Sequence, residues 1–196
     1  MRPVTATPPP MGDDDLLARY ARGERTALDE LFRRYRETSY RVAYRLLGRP
    51  EDALDAVQDG FIKALTHLHG FERRSSFKTW LLRVVSNAAL DLGRQRRRRE
   101  NRADAMAAGA TEASLAAPEH ADPAREAEEA DLRESLTVAL RQLPDAQRRA
   151  FVLHVDGGLT YREVAEAMET SIGTVMSRLF YARQKLKGLL SARVPS

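Results

Sequence analysis

Large apolar residues recur at every third or fourth position through most of the chain, a spacing that predicts amphipathic helices. The helical pattern starts at Asp13, and Thr26 with Asp29 predicts a loose capping-box start for a long helix that continues to Leu46. Pro50 then opens a second helix, because proline fits the first helical turn but not the interior. No segment alternates with the two-residue period of a half-buried strand, so we expect an all-α fold.

Two further long segments complete a first block of helices over residues 13–99. The second helix is predicted from Glu51 to about Leu68, and a third is predicted over residues 77–99 after a loop. Gly60 lies in the middle of the second helix. A glycine there costs about 1 kcal/mol of helix stability relative to alanine unless close packing compensates.

The composition changes abruptly after this block. Residues 100–130 are rich in Ala, Glu and Asp, contain two prolines and have few large apolar side chains. Such a segment buries too little area to offset the entropy of ordering it, so it is predicted to be a flexible acidic linker. The proline-rich residues 1–12 are predicted to be disordered, and the sequence leaves open whether Met1 or Met11 is the start.

Helical periodicity resumes in a second block over residues 131–191. One helix passes through Leu140, a second opens at Pro144, and Thr160 with Glu163 predicts a capping box for a short third helix. A fourth helix is predicted from Ile172 to about Leu190. A short helix, a tight turn and a longer basic helix are typical of a helix-turn-helix unit. We therefore predict two small helical domains joined by the linker.

Charge is distributed unevenly between these segments. The whole chain has 32 Lys and Arg against 28 Asp and Glu, a net charge of +4. Residues 1–99 carry +7, residues 100–130 carry −6, and residues 131–196 carry +3. Because a basic block is the electrostatic footprint of a polyanion partner, both helical blocks are candidates for nucleic-acid binding.

Several functional classes are disfavoured by what the sequence lacks. It has no cysteine, no apolar stretch near the ~20 residues that cross a bilayer, and no signal-peptide segment, so we expect a cytoplasmic protein without membrane insertion. The phosphate-binding and nucleophile motifs of common enzymes are absent, as is metal-ligand spacing around the histidines. We therefore expect no catalytic residues, no metal and no cofactor.

The end of the first block mixes aromatic and basic residues. Phe71, Phe77 and Trp80 could stack on unpaired bases, although the apolar spacing favours a core position for Trp80. Asn87 could read a base edge or be an ordinary surface residue. The arginines at 94 and 96–99 indicate a polyanion contact or a solubilising helix end.

Two other helices carry candidate binding faces. On the last helix, small hydroxyl residues and an arginine lie near the N-terminal end, which suits the DNA major groove, although a solvated surface helix is the alternative. On the helix of the first block that follows Pro50, Asp55, Gln58 and Asp59 are close together. Acidic residues would repel phosphates, so this face fits either a protein partner or solvent.

The two blocks together resemble the extracytoplasmic-function (ECF) group of bacterial sigma factors, small two-domain members of the sigma-70 family of RNA polymerase subunits. The segments RYRETSYRVAYRLLGRPEDALDAVQDGFIKAL and SFKTWLLRVVSNAALD are similar to sigma domain two. The segment LRQLPDAQRRAFVLHVDGGLTYREVAEAMETSIGTVMSRLFYARQKL is similar to sigma domain four. The match covers roughly residues 14–98 and 131–190, in the order and spacing expected of the family.

The resemblance implies a role for each candidate face. Core RNA polymerase would bind through its largest-subunit clamp helices to Asp55, Gln58 and Asp59, and through its flap to the second domain. The minus-ten promoter element would be opened, with one base flipped into a pocket, by Phe71, Arg73, Arg74, Ser75, Ser76, Lys78, Arg83, Asn87, Arg94, Arg96 and Arg97. The minus-thirty-five element would be read by Ser171, Thr174, Met176, Ser177, Arg178, Tyr181, Arg183 and Lys185. The acidic linker would occupy the basic RNA channel, and an anti-sigma factor would be a further partner.

Two positions depart from the family pattern, and two other function classes stay open. Met176 and Tyr181 occupy positions where the family commonly has basic residues, so we expect an altered minus-thirty-five preference, since Met offers only apolar contact and Tyr one hydroxyl. A stand-alone helix-turn-helix regulator would leave the first block unexplained. An enzyme with a DNA-binding tail would need a polar constellation that the sequence does not show.

Overall fold

The computed structural model describes residues 11–106 and 135–191. Every regular element in these two ranges is helical, which confirms the predicted fold class. The elements are α1 (Asp13–Ala21), α2 (Arg25–Leu47), α3 (Pro50–His67), a 3₁₀ turn (Leu68–Gly70), α4 (Phe77–Met106), α5 (residues 135–141), α6 (Asp145–Val155), α7 (Tyr161–Ala167) and α8 (Ile172–Ser191).

The helical pattern that starts at Asp13 forms two helices in the structure. Gly23 lies between α1 and α2 with φ of +94°, a left-handed conformation that favours glycine and ends the first helix. The capping box predicted at Thr26 is therefore wrong, because α2 begins one residue earlier and Thr26 already lies in its first turn. The spacing of apolar residues did not reveal this break, because α1 and α2 each have an apolar face with helical spacing.

The third predicted helix is longer than expected. We predicted its end at Arg99, but α4 continues through the helix-favouring residues 100–106 to Met106. The remainder of the predicted linker, residues 107–130, lies outside the described residues, as do residues 1–10 of the predicted disordered N-terminus and residues 131–134.

The chain divides into two compact units, one up to Glu37 and one from Thr38 onward. In the first unit, Asp13 of α1 accepts a hydrogen bond from Arg34 Nη1 at 2.6 Å and another from the Tyr35 hydroxyl. Burial and this bond to a carboxylate raise the pKa of Tyr35. These contacts join α1 to the first half of α2.

In the second unit, α3 packs on α4, and α6 and α7 pack on α8. Helix α4 also contacts α6 and α7, so the helices of the two sequence blocks touch one another. Spacings of three and four residues predict an apolar face on the last helix formed by Val175, Leu179, Ala182, Leu186 and Leu189. The first four are buried and Leu189 is half-buried. The opposite face of this helix is consequently free for another role.

The capping box at the start of α7 is confirmed. The backbone N–H of Glu163 donates to the Thr160 hydroxyl at 3.3 Å, and the Thr160 backbone N–H donates to Glu163 Oε2 at 2.8 Å. Burial raises the pKa of Glu163, but hydrogen bonds from the Thr160 backbone and hydroxyl and from Thr79, together with the charge of Lys78, lower the pKa overall. The cap fixes the start of the short helix before the turn into α8.

Gly60 marks the closest approach of α3 to α4. A Cβ atom at this position would lie 2.9 Å from Val85 Cγ2 and 3.0 Å from the Val85 Cα atom. Because one of these neighbours is backbone, the two helices would have to separate to admit a side chain. Close packing is thus the compensation for placing glycine inside this helix.

Replacing Gly60 with alanine is expected to destabilise the protein by about 1–3 kcal/mol, because overpacking outweighs the better helix propensity of alanine. The matched control is Gly188→Ala in α8, where no atom lies within 4 Å of the added Cβ. That change is expected to stabilise by about 0.5–1 kcal/mol. Urea unfolding followed by circular dichroism measures both; a more stable Gly60→Ala variant would contradict the close-packing explanation.

None of the helices in the described ranges is long and apolar enough to cross a membrane.

Candidate nucleic-acid interface

The predicted partner-binding residues of α3 share one exposed face. Asp55, Gln58 and Asp59 are all exposed, and Asp59 Oδ2 lies 2.7 Å from Lys63 Nζ one turn later. The opposite face of the helix is buried, which fixes the orientation of these side chains relative to α4. The carboxylates therefore point to solvent and are available to a partner.

Three large apolar side chains flank these acidic residues, and the sequence pattern did not single them out. Leu54, Ile62 and Leu65 are exposed by 59%, 54% and 44% of their surface. Apolar residues on the solvent side of an amphipathic helix are typical of a protein-binding surface. These three residues could have been recognised in the sequence, because their spacing does not match that of the apolar residues buried on the opposite face of α3.

Three aromatic rings pack together where α4 begins. Phe71 lies 5.1 Å from Trp80 and 6.1 Å from Phe77 between ring centroids, and Phe77 lies 5.8 Å from Trp80. Phe77 is buried, whereas Phe71 and Trp80 are half-buried. The cluster anchors the loop before α4 and leaves part of two rings accessible for stacking on a base.

The loop between the 3₁₀ turn and α4 has an unusual backbone and a capped exit. Arg73 adopts φ of +55°, a conformation that non-glycine residues rarely adopt. Its neighbour Arg74 is exposed and pairs with Glu72 at 2.6 Å. The Ser76 hydroxyl accepts a hydrogen bond from the Thr79 backbone N–H at 3.1 Å, so it caps α4.

Along α4, the predicted minus-ten residues fall into two groups. Asn87 and Arg94 are exposed, and Arg94 pairs with Asp91 on the same helix at 2.7 Å. Others contact the segments that follow α5: Arg83 pairs with Glu169 at 2.7 Å, and Arg97 pairs with Asp145 at 3.2 Å. Lys78 Nζ donates to the Gly158 carbonyl at 3.3 Å.

Further polar contacts join the same surfaces and were not predicted from sequence. Arg149 of α6 donates from Nε to the Ser86 hydroxyl at 3.1 Å and from Nη2 to the Ala167 carbonyl at 3.1 Å. Burial, with repulsion from Arg83, lowers the pKa of Arg149 to about 10. The Thr79 hydroxyl donates to Glu163 at 3.3 Å. Residues far apart in the chain thus hold α4 against α6 and α7.

A half-buried ion pair extends this contact to α2. Arg45 Nε lies 3.4 Å from Asp156 Oδ1, and Arg45 Nη1 donates to the Thr137 hydroxyl at 3.0 Å. The Arg45 and Asp156 side chains are only 16% and 14% exposed. Burial raises the pKa of Asp156 despite the adjacent guanidinium. We call the contact of α2 and α4 with α5, α6, α7 and their connecting turns the closed interface.

Helix α8 presents a continuous exposed face. Met176, Ser177 and Tyr181 are exposed as predicted, whereas Arg178 is half-buried. Phe180, which the sequence reasoning missed, is 56% exposed and its ring lies 5.4 Å from that of Tyr181. An exposed aromatic residue beside Met176 makes this face more apolar than a typical phosphate-binding helix.

The ends of this face are fixed by hydrogen bonds. The Ser171 hydroxyl accepts from the Thr174 backbone N–H at 3.1 Å and lies 2.9 Å from the Thr174 hydroxyl, so Ser171 caps α8. Arg183 donates to the Tyr161 hydroxyl at 3.2 Å, and Lys185 is exposed one turn beyond Tyr181. Among the described residues, no group of three acidic, histidine or cysteine side chains could hold a metal ion.

Family profiles match both helical blocks. Sigma-70 region 2 matches residues 31–99, and Sigma-70 region 4 matches residues 133–186. The first match contains α3 and most of α4, and the second contains α6, α7 and most of α8. The closed interface therefore joins a region 2 segment to a region 4 segment.

Whole-chain comparisons find relatives over nearly the full length. The RNA polymerase sigma-H factor of Pseudomonas aeruginosa is 32% identical over 176 residues, which cover 89% of this chain and 91% of that protein. The ECF RNA polymerase sigma-E factor of Escherichia coli K12 is also 32% identical, covering 89% and 92%. The SigE factor of Mycolicibacterium smegmatis is 33% identical, covering 87% and 65%.

Two solved structures are similar to this fold. The sigma factor RpoE of Bartonella quintana, crystallised with the anti-sigma factor NepR, has a TM-score of 0.68 at 26% identity, covering 85% of this chain and 98% of that one. CnrH in complex with the cytosolic domain of CnrY also has a TM-score of 0.68, at 28% identity, covering 93% and 99%.

Proposed function

Because this chain belongs to the ECF group of the sigma-70 family and directs RNA polymerase to promoters, we propose that its three exposed faces divide that work. The proposal depends mainly on one observation: regions 2 and 4 are both present, in order, in a chain of which 89% aligns with a sigma factor that is 32% identical. A stand-alone helix-turn-helix regulator would not require region 2. The protein acts as a binding factor in the cytoplasm, where promoter DNA and polymerase meet, and the catalysis belongs to the polymerase.

The exposed face of α3 binds the clamp helices of the polymerase. Asp55, Gln58 and Asp59 supply negative charge and hydrogen-bonding groups, and the flanking leucines and isoleucine supply apolar area. A surface with both features suits a protein partner better than DNA, since carboxylates repel phosphates. The polymerase flap would contact region 4.

The loop after α3 and the first turns of α4 open the minus-ten element. Phe71 and Trp80 keep accessible ring surface. Asn87 is exposed about two turns further along α4 and offers both a donor and an acceptor to a base edge. Unstacking a base costs a few kcal/mol, which stacking and hydrogen bonding in the pocket must offset. Lys78, Arg83 and the basic side chains further along α4 would hold the strand backbone once they are free of region 4.

The exposed face of α8 reads the minus-thirty-five element in the major groove. Met176 and Phe180 lie one turn apart on this face and suit the methyl group of thymine, while Ser177 and Tyr181 offer hydroxyls. Arg183 and Lys185 lie beyond them, where they can reach phosphates. The arrangement favours A·T base pairs over the guanines that arginine would select at positions 176 and 181.

Replacing Met176 with arginine is expected to change the selected minus-thirty-five sequence by introducing a guanine preference at one position, worth about 1–3 kcal/mol of discrimination. Selection of promoters from a library randomised at this element, using the reconstituted holoenzyme, measures the preference. Gln184→Arg, further along the same helix, is the matched control for added charge alone. Identical selected sequences for the original protein and Met176→Arg would contradict the assignment.

The closed interface is incompatible with simultaneous binding of both promoter elements. Elements about 25 base pairs apart are separated by roughly 80 Å of duplex at 3.4 Å per step. In the described structure, however, Arg83 and Arg97 of α4 directly contact Glu169 and Asp145 of region 4. Promoter binding therefore requires the two regions to separate. The similar sigma factor RpoE, crystallised with the anti-sigma factor NepR, suggests that a comparable partner acts on this chain.

The proposed function is tested by transcription from a cognate promoter with purified core polymerase, with and without this protein. Promoter-specific transcripts are expected only when the protein is present. Transcripts of the same start and yield from core polymerase alone would refute the sigma activity, and sequence-specific duplex binding without any such transcript would support the stand-alone regulator.

A further inference from the structure

A small cavity of about 240 Å³ lies within the closed interface. Its apolar wall is formed by the end of α2 and the middle of α4, with Leu46, Leu47 and Leu90 among its members. Its polar lining consists of four arginines, two from α4 and two from α5 and α6: Arg96, Arg97, Arg141 and Arg148. A concave site with apolar walls and convergent charged groups of one sign is typical of a ligand site.

The four guanidinium groups are held in place by neighbouring acceptors. Arg141 Nη2 donates to the Gly48 carbonyl at 2.7 Å, and Arg148 Nη2 donates to Asp145 Oδ1 at 2.6 Å. Arg97 shares the same carboxylate through Oδ2 at 3.2 Å. Arg96 pairs with Asp52 and Glu100. The cationic groups are thus pre-positioned around the cavity, and one carboxylate serves two of them.

Arg148 is the most deeply buried of the four arginines. It is only 4% exposed, and its Nε has no hydrogen-bond partner. A buried donor without an acceptor costs about 1–3 kcal/mol, and more when it is charged. Burial and the nearby Arg97 and Arg141 lower the pKa of Arg148 despite the pairing with Asp145. The described residues that line the cavity include no acidic side chain, so an anion inside the cavity would supply the acceptor that Arg148 Nε lacks.

We propose that this cavity binds a small phosphate-bearing anion of the size of diphosphate. Planar guanidinium groups bind phosphate oxygens through paired, charge-assisted hydrogen bonds, and several such groups surround the cavity. A volume of about 240 Å³ corresponds to roughly eight water molecules, which is enough for two phosphoryl groups. The backbone of duplex DNA is a poorer occupant, because the nearly inaccessible Arg148 cannot reach a phosphate of a rigid helix.

The anion would bridge the two sigma regions. Arg96 and Arg97 lie in the region 2 match, and Arg141 and Arg148 lie in the region 4 match. A ligand that binds only when these residues are together stabilises the closed interface by RT ln(1 + c/Kd) at ligand concentration c, which increases with the logarithm of its concentration above Kd. This regulatory consequence rests on the proposed sigma function, whereas anion binding itself does not.

Calorimetric titration of the full-length protein with sodium diphosphate in a low-salt buffer tests the site without polymerase or DNA. Saturable binding with a dissociation constant below about 1 mM is expected. Arg148→Met, which keeps an unbranched apolar side chain but removes the charged guanidinium group, is expected to lower the affinity at least tenfold. Arg148→Lys is expected to lose less, because it keeps the charge without the planar fork. Arg162→Met is the matched control, since Arg162 is an exposed residue of α7 outside the cavity.

Arg141→Gln is a second variant that keeps the test decisive if Arg148→Met does not fold, because Arg141 is exposed. It is also expected to weaken diphosphate binding. No saturable binding, or equal affinity in the cavity variants and in Arg162→Met, overturns the site. A short duplex oligonucleotide is titrated in parallel. If DNA binding depends on Arg148 and diphosphate binding does not, the cavity residues bind nucleic acid rather than a small anion.

Discussion

Replacing Asp55 and Asp59 together with lysine is expected to weaken binding to core RNA polymerase by about 30-fold or more, which corresponds to about 2 kcal/mol. Both carboxylates are exposed on the face of α3 proposed to contact the clamp helices, and charge reversal places like charges across that contact. The new lysine at position 59 would lie one turn from Lys63, which costs only a few tenths of a kcal/mol within the helix. Folding is therefore preserved.

The dissociation constant for core polymerase and the yield of promoter-specific transcript measure this effect together. Lysine substitutions at Asp29 and Glu166, which lie outside the α3 face, make a control with the same change in net charge. Leu54→Ala and Ile62→Ala test the apolar flank separately. Wild-type affinity in the Asp55 and Asp59 double variant, alongside an unchanged helical spectrum, would mean that polymerase binds elsewhere on the chain.

Reversing the charge of Asp156 is expected to open the closed interface. Asp156→Lys would set a second cation 3–4 Å from Arg45 in a place where both side chains are largely buried. Leaving a buried charge uncompensated costs about 3–5 kcal/mol. A change of this size shifts the balance between closed and open arrangements by more than about 100-fold. Lys78 and Arg83 would then be free to bind the minus-ten strand.

Resonance energy transfer between two introduced cysteines measures the opening, and the cysteine-free sequence makes such labels unique. With dyes at Thr66→Cys and Lys187→Cys, transfer efficiency is expected to fall in Asp156→Lys, and affinity for a single-stranded minus-ten oligonucleotide is expected to rise about tenfold. Glu166→Lys, which alters only a pair with Arg162 on α7, is the control. Glu169→Lys, at an exposed pair, is a second variant expected to have a smaller effect in the same direction. Unchanged transfer in a folded Asp156→Lys protein would contradict a closed arrangement held by this ion pair.

The local pattern of apolar and polar residues was sufficient to predict the helices and which of their faces are exposed. The capping box at Thr160 and Glu163 and the buried series of α8 follow from neighbours within four positions, so spacing alone identified them. The same holds for the exposed position of Asp55, Gln58 and Asp59. The missed break at Gly23 and the extension of α4 to Met106 show that element ends depend on backbone conformations that periodicity does not report.

Contacts between distant residues could not be read from the pattern. Nothing in the local pattern distinguished Arg149 from the other arginines, yet in the structure its Nε lies 3.1 Å from the Ser86 hydroxyl. Arg83, which the sequence predicted to contact DNA, pairs with Glu169. Phe180 was overlooked because an aromatic residue in an amphipathic helix is ordinarily assigned to the core. The structure placed it on the solvent side instead.

The sequence by itself determined that this protein is helical, that it has two basic blocks separated by an acidic segment, and which faces carry candidate binding residues. Those properties follow from local periodicity and from the order of charges along the chain. Only the tertiary structure decided that Gly60 is needed for the approach of α3 to α4, that region 4 covers part of the predicted minus-ten surface, and that four arginines surround one cavity. Each depends on which surfaces meet across the fold, a long-range choice that the spacing of neighbouring residues does not specify.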